Sequence, residues 1–282
     1  MAKLSKSIKP GLYVTATPIG NLGDITYRAV ETMKAADLIL CEDTRQTSKL
    51  CAAYDIKTPR RPYHDHNAQK VRPEILDRLQ HGETICLVSD AGTPLIADPG
   101  YKLVREARNV DVDVFPLPGP SAFAAALSAA GAPTDRFTFE GFPPAKGTAR
   151  RKLLTRIQDV EGTIVFYETG PRLADSLAAM AETFGAERRA VVARELTKIH
   201  EEFRDGDLAS LSAHYKAAPA KGEIVILIFP AAETETKAED IETFLRSALK
   251  DMTVKDAARA AAETLGVSRK DAYDRAVALK GD

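Results

Sequence analysis

This sequence lacks an excess of charge of either sign. Its 282 residues carry 39 Lys and Arg against 40 Asp and Glu, a formal charge of −1. No global basic field therefore draws in nucleic acid, and any such contact has to be local. Cysteine is scarce: Cys41, Cys51 and Cys86 are an odd three without CxxC spacing, which indicates neither a disulfide framework nor a thiolate zinc site. A reducing cytoplasm is the expectation, with plain core packing for Cys41 and Cys86, which sit within or at the end of apolar runs. Long apolar runs are missing as well. The stretch Ile224–Phe229 stops far short of the ~20 residues a membrane-spanning helix needs. The basic opening Met1–Lys6 meets Pro10-Gly11 before any apolar stretch of signal-peptide length, so a soluble, cytoplasmic protein without membrane attachment is expected. Neither GxGxxG nor GxxxxGK[ST] occurs, so a ligand held through a phosphate cradle lacks its usual support.

What is present suffices for a folded protein. Hydrophobic residues make up 44% and charged residues 28%, an ordinary globular composition far from that of a disordered chain. At roughly 100–200 residues per domain the length suggests two domains. Short apolar runs alternate with helical spacing: Leu12–Thr15 precedes a helical pattern over Asp24–Ala36, and Leu38–Cys41 precedes Thr44–Ala53. Thr84–Val88 then leads to Tyr101–Arg108 and on to Val112–Phe115. That rhythm predicts parallel strands joined by crossover helices.

The rhythm pauses at Gly131-Ala132-Pro133, where a domain boundary is expected. Beyond it, Phe137–Glu140 opens a second set with strands at Thr163–Tyr167, Ala190–Arg194 and Glu223–Phe229 and a helix near Arg172–Phe184. The segment His200–Phe203 can return as a hairpin on the strand before it, so this second sheet is expected to be mixed. Ala231–Ala238 reads as a linker, and the chain beyond it as helix, turn, helix, its charges in balance. The expected architecture is α/β: two α/β/α domains over 1–132 and 133–232, the first with a parallel and the second with a mixed sheet, and a small linker and helical extension over 233–282.

Ligands of open parallel sheets bind outside the carboxyl ends of the strands, and this chain places its unusual residues there. Thr17–Leu22 follows the first strand, Glu42–Arg45 the second, His64–Asn67 the third, Ser89–Pro94 the fourth and Pro118–Ser121 the fifth. Gly92 and Gly119 permit close backbone approach, and Asp90 and Ser121 supply acceptors.

The strings in and around these loops carry a resemblance. TPIGNLGDIT (17–26), EDTR (42–45), HDHN (64–67), SDAGTPLIADPG (89–100) and PLPGPSA (116–122), with DRFTFEGFPPAKG (135–147), ARELTK (193–198) and KGEIVI (221–226), together resemble the tetrapyrrole-methylase superfamily, in its branch acting on small-subunit ribosomal RNA. The resemblance runs over about residues 11–282. It implies a cofactor cleft between the two domains holding S-adenosyl-L-methionine, and methyl transfer to the ribose 2′-hydroxyl of a cytidine in the decoding region of 16S ribosomal RNA. It also implies a homodimer acting on the small ribosomal subunit. Carried over by position, the cofactor meets Pro18, Ile19 and Gly20, the turn Ser89, Asp90, Ala91, Gly92, Thr93 and Pro94 with Leu95 and Ile96, then Ser121 and Ala122, and from the second domain Phe166, Tyr167 and Glu168. Family patterns often have His where this chain has Pro171, so no role of that His is assumed.

A sulfonium methyl already has a good leaving group, so holding the hydroxyl in line behind it is most of the task. A base or a nearby cation helps a weak ribose nucleophile. Cleft-edge candidates are Glu42, Asp43, His64, His66, Glu168, Arg194, Glu195 and Lys198, with Asp43, Glu195 and Lys198 put forward as catalytic. For Asp43 the competing reading is an ion pair with Arg45 or a helix cap, and for Glu195 and Lys198 a surface pair three residues apart. His64-Asp65-His66 invites a metal reading, but methyl transfer from a sulfonium needs none, and no metal is expected. RNA contact is expected from Arg45, His64, His66 and Arg194 and from the basic run Lys146, Arg150, Arg151, Lys152 and Arg156, with Arg60-Arg61 and Lys70–Arg72 as an extension, because RNA affinity is dominated by phosphate neutralisation. The competing functions are a small-molecule methyltransferase of the same superfamily, an RNA-binding assembly protein without turnover and a metal-dependent hydrolase.

Overall fold

Strand by strand, side-chain alternation explains the first sheet. In β2 (Leu38–Cys41), Leu38 and Leu40 face one helical layer while Ile39 and Cys41 face the other. In β4 (Thr84–Val88), Ile85 and Leu87 part from Cys86 and Val88 in the same way. Strands apolar on both faces must be covered on both faces, as parallel sheets are. The structure, a computed structural model, describes residues 8–231 and 238–281. The basic opening at 1–6 and residues 232–237 of the expected linker lie outside the described residues.

With β1 (Gly11–Thr15), β3 (Arg60–Pro62) and β5 (Val114–Leu117), these strands form a five-stranded parallel sheet ordered β3-β2-β4-β1-β5. Helices α1 (Tyr27–Ala35) and α2 (Thr44–Ala53) cover one face, where all three buried cysteines lie, and α3 (Asp65–Gln80) and α4 (Tyr101–Asn109) cover the other. The Cys86 thiol, deep in that layer, is pushed up to about 12 by burial.

The second sheet is mixed, as expected. Its order is β6 (Phe137–Phe139), β7 (Thr163–Thr169), β10 (Glu223–Ile228), β8 (Arg189–Arg194) and β9 (Glu202–Asp207), with β6 parallel to β7 and the other pairs antiparallel. One face packs on α6 (Gly147–Ile157), α7 (Gly170–Phe184) and α8 (Leu208–Ala217). The other is covered by α5 (Ala122–Ala129), through Ala126 and Leu127 against Val165, Val191, Val225 and Leu227. A helix lying before the expected cut at 132/133 thus covers the sheet lying after it, and residues up to Pro230 form one compact unit.

The chain from Ala231 forms a second unit, in which α9 (Ala238–Ala248), α10 (Val254–Leu265) and α11 (Arg269–Gly281) pack around Ile241, Leu245 and the small side chains Ala257, Ala258, Ala261, Ala272 and Ala276. Thr253 caps α10 and Gly266, left-handed at φ 66°, ends it, while Ser268 Oγ accepts from the Asp271 amide at the start of α11.

Candidate active site

Strand order decides which loops meet. Because β1 lies between β4 and β5, the segments leaving these three strands are neighbours at the carboxyl edge. Thr17 and Gly92 form an antiparallel bridge, the Thr17 amide donating to Gly92 O at 2.9 Å and the Gly92 amide to Thr17 O at 3.0 Å. The Thr17 hydroxyl donates to Ser89 O at 3.1 Å, and the Thr93 hydroxyl to Pro120 O at 3.1 Å. Gly92 takes φ 83° with Ile19 Cγ2 3.3 Å from where a Cβ would stand, a conformation that side chains resist. Leu95 and Ala97 are left-handed without being glycine, at φ 71° and 62°. Such strain persists only where the surroundings over-determine it, as at functional loops.

These loops and the facing edge of the second sheet enclose a cavity of about 260 Å³. Of the residues expected at the cofactor, Ile19, Asp90, Ala91, Gly92, Thr93, Ile96, Ser121, Ala122, Tyr167 and Glu168 line it. Pro18, Gly20, Ser89, Pro94 and Leu95 are not among the lining residues and belong to the loops that shape it. The Ser89 hydroxyl bonds back to Gly92 O at 3.2 Å. Gly20 is pressed against the loop after β8, where a Cβ would stand 2.5 Å from Lys198 Cγ and 2.9 Å from Leu196 O. Phe166 departs from expectation: it is wholly buried in the core on the α7 side of β7, since successive strand residues point to opposite faces. Tyr167, on the opposite face, is the aromatic residue that reaches the cavity.

Glu168 borders the cavity, but its carboxylate turns away from it. Oε2 accepts from the Ser176 hydroxyl at 2.5 Å, Oε1 accepts from the Thr169 amide at 2.8 Å, and Arg172 pairs with it at 3.4 Å. Residues not nominated from sequence also line the cavity: Ala97, Asp98, Phe142, Thr169, Leu196 and, on β10, Glu223, Ile224 and Val225. The signal for Asp98 is the second carboxylate of the string that begins at Ser89, and for Val225 the alternation along KGEIVI.

The catalytic nominees are otherwise engaged. Asp43 caps α2, accepting from the Arg45 amide at 2.8 Å, and its two oxygens are gripped by Arg45 Nε at 3.1 Å and Nη2 at 2.7 Å. The Arg45 hydrogen bonds pull its carboxyl down to about 2, which makes it a poor proton acceptor near neutral pH. Lys198 Nζ lies 2.9 Å from both Glu195 Oε1 and Glu223 Oε2, and Glu195 Oε1 also accepts from the Glu223 amide at 3.1 Å. Burial works against the Lys198 charge, but its two carboxylate partners outweigh it and hold the amine above the ordinary lysine value. Neither Glu195 nor Lys198 lines the cavity; they clamp β8 to β10 at its edge.

The RNA nominees divide likewise. Lys146, Arg151, Lys152 and Arg156 are exposed, and the last three line one open groove on α6. Arg150 instead points inward, its Nη1 donating to Ser176 Oγ at 3.1 Å. Arg194 is bound to Glu202 Oε2 at 3.0 and 2.8 Å. His64 and His66 stand at the start of α3, their rings 5.9 Å apart. The segment expected as a loop is thus the start of a helix, with His64 at its N-cap.

A second cavity, of about 580 Å³, opens beside the first. The loops of β2 and β3 supply Glu42 and Tyr63, α3 supplies Asp65, Gln69 and Arg72, and the segment after β4 supplies Ala97–Lys102. Burial, followed by the charge of Glu42, pushes Asp98 up to about 6, and burial with the neighbouring Asp90 raises Glu42.

Two packed α/β layers with a cavity at the carboxyl edge of the parallel sheet define an enzyme architecture, and comparison with known proteins assigns it. Residues 11–212 match the Tetrapyrrole (Corrin/Porphyrin) Methylases, and residues 235–280 match the RsmI C-terminal HTH domain. The chain belongs to the tetrapyrrole methylase family. A protein of Erythrobacter litoralis named ribosomal RNA small subunit methyltransferase I is 49% identical over 276 residues, 98% of each chain. One of the same name from Mesorhizobium japonicum is 46% identical over 277 residues, 98% of this chain and 94% of that one. Similar folds include diphthine synthase, at TM-score 0.62 and 13% identity over 77% of this chain and 89% of that one. Uroporphyrin-III-C-methyltransferase from Thermus thermophilus follows at 0.57 and 15%, over 78% and 94%.

Proposed function

We propose that the protein transfers the methyl group of S-adenosyl-L-methionine to the ribose 2′-hydroxyl of a cytidine in the decoding region of 16S ribosomal RNA, acting on the small ribosomal subunit as a cytoplasmic homodimer. The reading is carried by near-full-length similarity to proteins named as small-subunit ribosomal RNA methyltransferases. In it, residues 1–132 and 133–232 are the two halves of one methylase unit and 233–282 a helical extension.

The first cavity fits an adenosine-bearing sulfonium. Ser121 Oγ is buried there without a hydrogen-bond partner among the described residues, a cost that a ligand donor or acceptor relieves. Ile19, Ile96, Leu196, Ile224 and Val225 offer the apolar wall that an adenosine needs, and the rings of Phe142 and Tyr167 meet edge to face at 5.6 Å. Asp90 and Ser121 would hold the polar groups of the ligand. Bound there, the cofactor supplies an electrophilic methyl on a good leaving group. The chain's own work is to orient the acceptor hydroxyl, exclude water and take up a proton. Arg151, Lys152 and Arg156 would meet RNA phosphates.

The test is incubation with labelled S-adenosyl-L-methionine and small subunits lacking the modification, followed by nuclease mapping. Label on a 2′-O-methylcytidine is expected. Cofactor binding without label in RNA sinks the reading, and label in a tetrapyrrole replaces it.

A further inference from the structure

The charges of the unit from Ala231 balance as a whole but not locally. An open groove of about 660 Å³ lies between the first turns of α10 and α11, within the roughly 300–1,000 Å³ that small ligands fill. Lys255 and Ala258 of α10 line it, with Arg269, Lys270 and Tyr273 of α11. Ala258 is buried and its small side chain forms the floor, while Lys255, Arg269 and Lys270 stand exposed around it. No acid lines the groove among the described residues, and none of the three cations forms an ion pair there. Arg259 and Arg275, on the same two helices, are instead held by Asp256 at 3.0 Å and Asp271 at 3.1 Å. The acids of both first turns are thereby neutralised, and the groove keeps three unpaired positive charges. Cations in the first turn of a helix oppose its macrodipole, so these three do not serve the stability of α10 or α11. Tyr273 is 46% exposed and makes no hydrogen bond or ring contact among the described residues, while its neighbour Ala272 is wholly buried.

We propose that this groove is an RNA-binding site of the C-terminal unit, taking a single-stranded segment with its phosphates on Lys255, Arg269 and Lys270 and one base stacked on the Tyr273 ring. The choice of RNA rests on the function proposed above. A nucleotide carries an anion and a π face together, and a cationic groove with an aromatic platform holds single strands through both. An acidic peptide would engage the cations and leave the ring idle. A regular duplex keeps its bases stacked on one another, whereas unpaired bases can be splayed onto an aromatic side chain. Because the chain itself joins this unit to the methylase unit, RNA held here raises the effective concentration of the same RNA at the methylase unit.

The test uses the full-length protein and two fluorescent probes, an unstructured single-stranded RNA from the decoding region and a double-stranded DNA of the same sequence, with anisotropy over a salt series. Replacing Lys255, Arg269 and Lys270 together by Ala is expected to lower the salt slope for RNA by roughly two, at ~0.7 per phosphate of a single strand, and to weaken binding about tenfold or more at ~0.1 M salt. The charge-keeping combination Lys255→Arg, Arg269→Lys and Lys270→Arg should bind within about twofold of wild type with the same slope. Tyr273→Ala should weaken binding about fivefold or more and leave the slope alone, and Tyr273→Phe, which keeps the ring, should restore it. Cofactor affinity by calorimetry and melting temperature are expected unchanged throughout, since every substituted side chain is exposed. A triple Ala variant with wild-type affinity and slope overturns the proposal. Tighter binding of the wild type to the duplex DNA than to the RNA overturns it too, as does a loss in Tyr273→Phe as large as in Tyr273→Ala. Wild-type protein that leaves no label in RNA of the small subunit overturns the proposed function and not the groove, whose variants are read by binding alone.

Discussion

The amide of Phe123, in the first turn of α5, donates to the phenol oxygen of Tyr167 on β7 at 3.3 Å. One hydrogen bond thus joins the helix that follows the parallel sheet to a strand of the mixed sheet, at the wall of the first cavity. Tyr167→Phe keeps the ring and removes the acceptor. A loss of about 1 kcal/mol is expected, with a fall in melting temperature of roughly 2–4 °C. Thermal denaturation followed by circular dichroism checks it, and an unchanged melting temperature would mean that the bond contributes nothing.

Gly20→Ala should be far more damaging than a glycine substitution usually is. The new Cβ would stand 2.5 Å from Lys198 Cγ, 2.8 Å from Thr197 Oγ1 and 2.9 Å from Leu196 O, and the last of these is backbone that cannot swing aside. Overpacking of this kind costs about 1–3 kcal/mol, and displacement of the loop should weaken cofactor binding. Gly147→Ala, with nothing within 4 Å of its Cβ, is the control and should be neutral. Equal urea midpoints for the two variants would contradict the close approach.

Asp98 should lower stability as the pH rises. The folded chain holds its proton up to about 6, above the unfolded aspartate range, so the folded state binds more protons between those limits and loses stability across them. Asp98→Asn is therefore expected to be more stable than wild type at pH 8, by about 1–3 kcal/mol, with the gap closing near pH 4. Urea unfolding at pH 4.5, 6 and 8 measures it. A gap that does not vary with pH would place the effect outside this carboxyl group.

Two arginines adjacent in sequence should fail in different ways. Arg151, Lys152 and Arg156 are exposed along one groove, so replacing all three by Ala should weaken RNA binding and reduce its salt slope by roughly two to three, with melting unchanged. Arg150 is bound to Ser176, so Arg150→Ala should lower the melting temperature and leave the salt slope alone. Fluorescence anisotropy across a salt series, paired with melting curves, separates the two. A loss of slope in Arg150→Ala would overturn its inward placement.

Much of the fold was legible because short buried strands and amphipathic helices write themselves as local patterns. Leu38–Cys41 and Thr84–Val88 read as strands apolar on both faces, and the return expected at His200–Phe203 is found a little later in the chain, as Glu202–Asp207 paired with β8. Facing was harder. Phe166 and Tyr167 are neighbours, yet one is core and the other cavity wall, a distinction set by which side of β7 receives α7 and which receives α5. The start of α3 lies where only a loop was read, over His64-Asp65-His66. His64 stands outside the helix and its amide donates to Asn67 Oδ1 at 2.9 Å, a cap that a loop reading overlooks.

The sequence by itself determined most of the strands, the burial of Cys41 and Cys86 and the loops rich in Gly, Pro, Asp and Ser at the strand ends, because these depend on residues close together in the chain. Only the tertiary structure decided which of those loops meet. Placing β1 between β4 and β5 gathers three of them around one cavity, while β2 and β3, on the other side of β4, give theirs to the second. The segment after β4 belongs to both because β4 stands between the two groups. Strand order is a long-range pairing of backbones and leaves no local trace in composition or periodicity. For that reason Asp98, which was not singled out from the sequence, lies where the two cavities join.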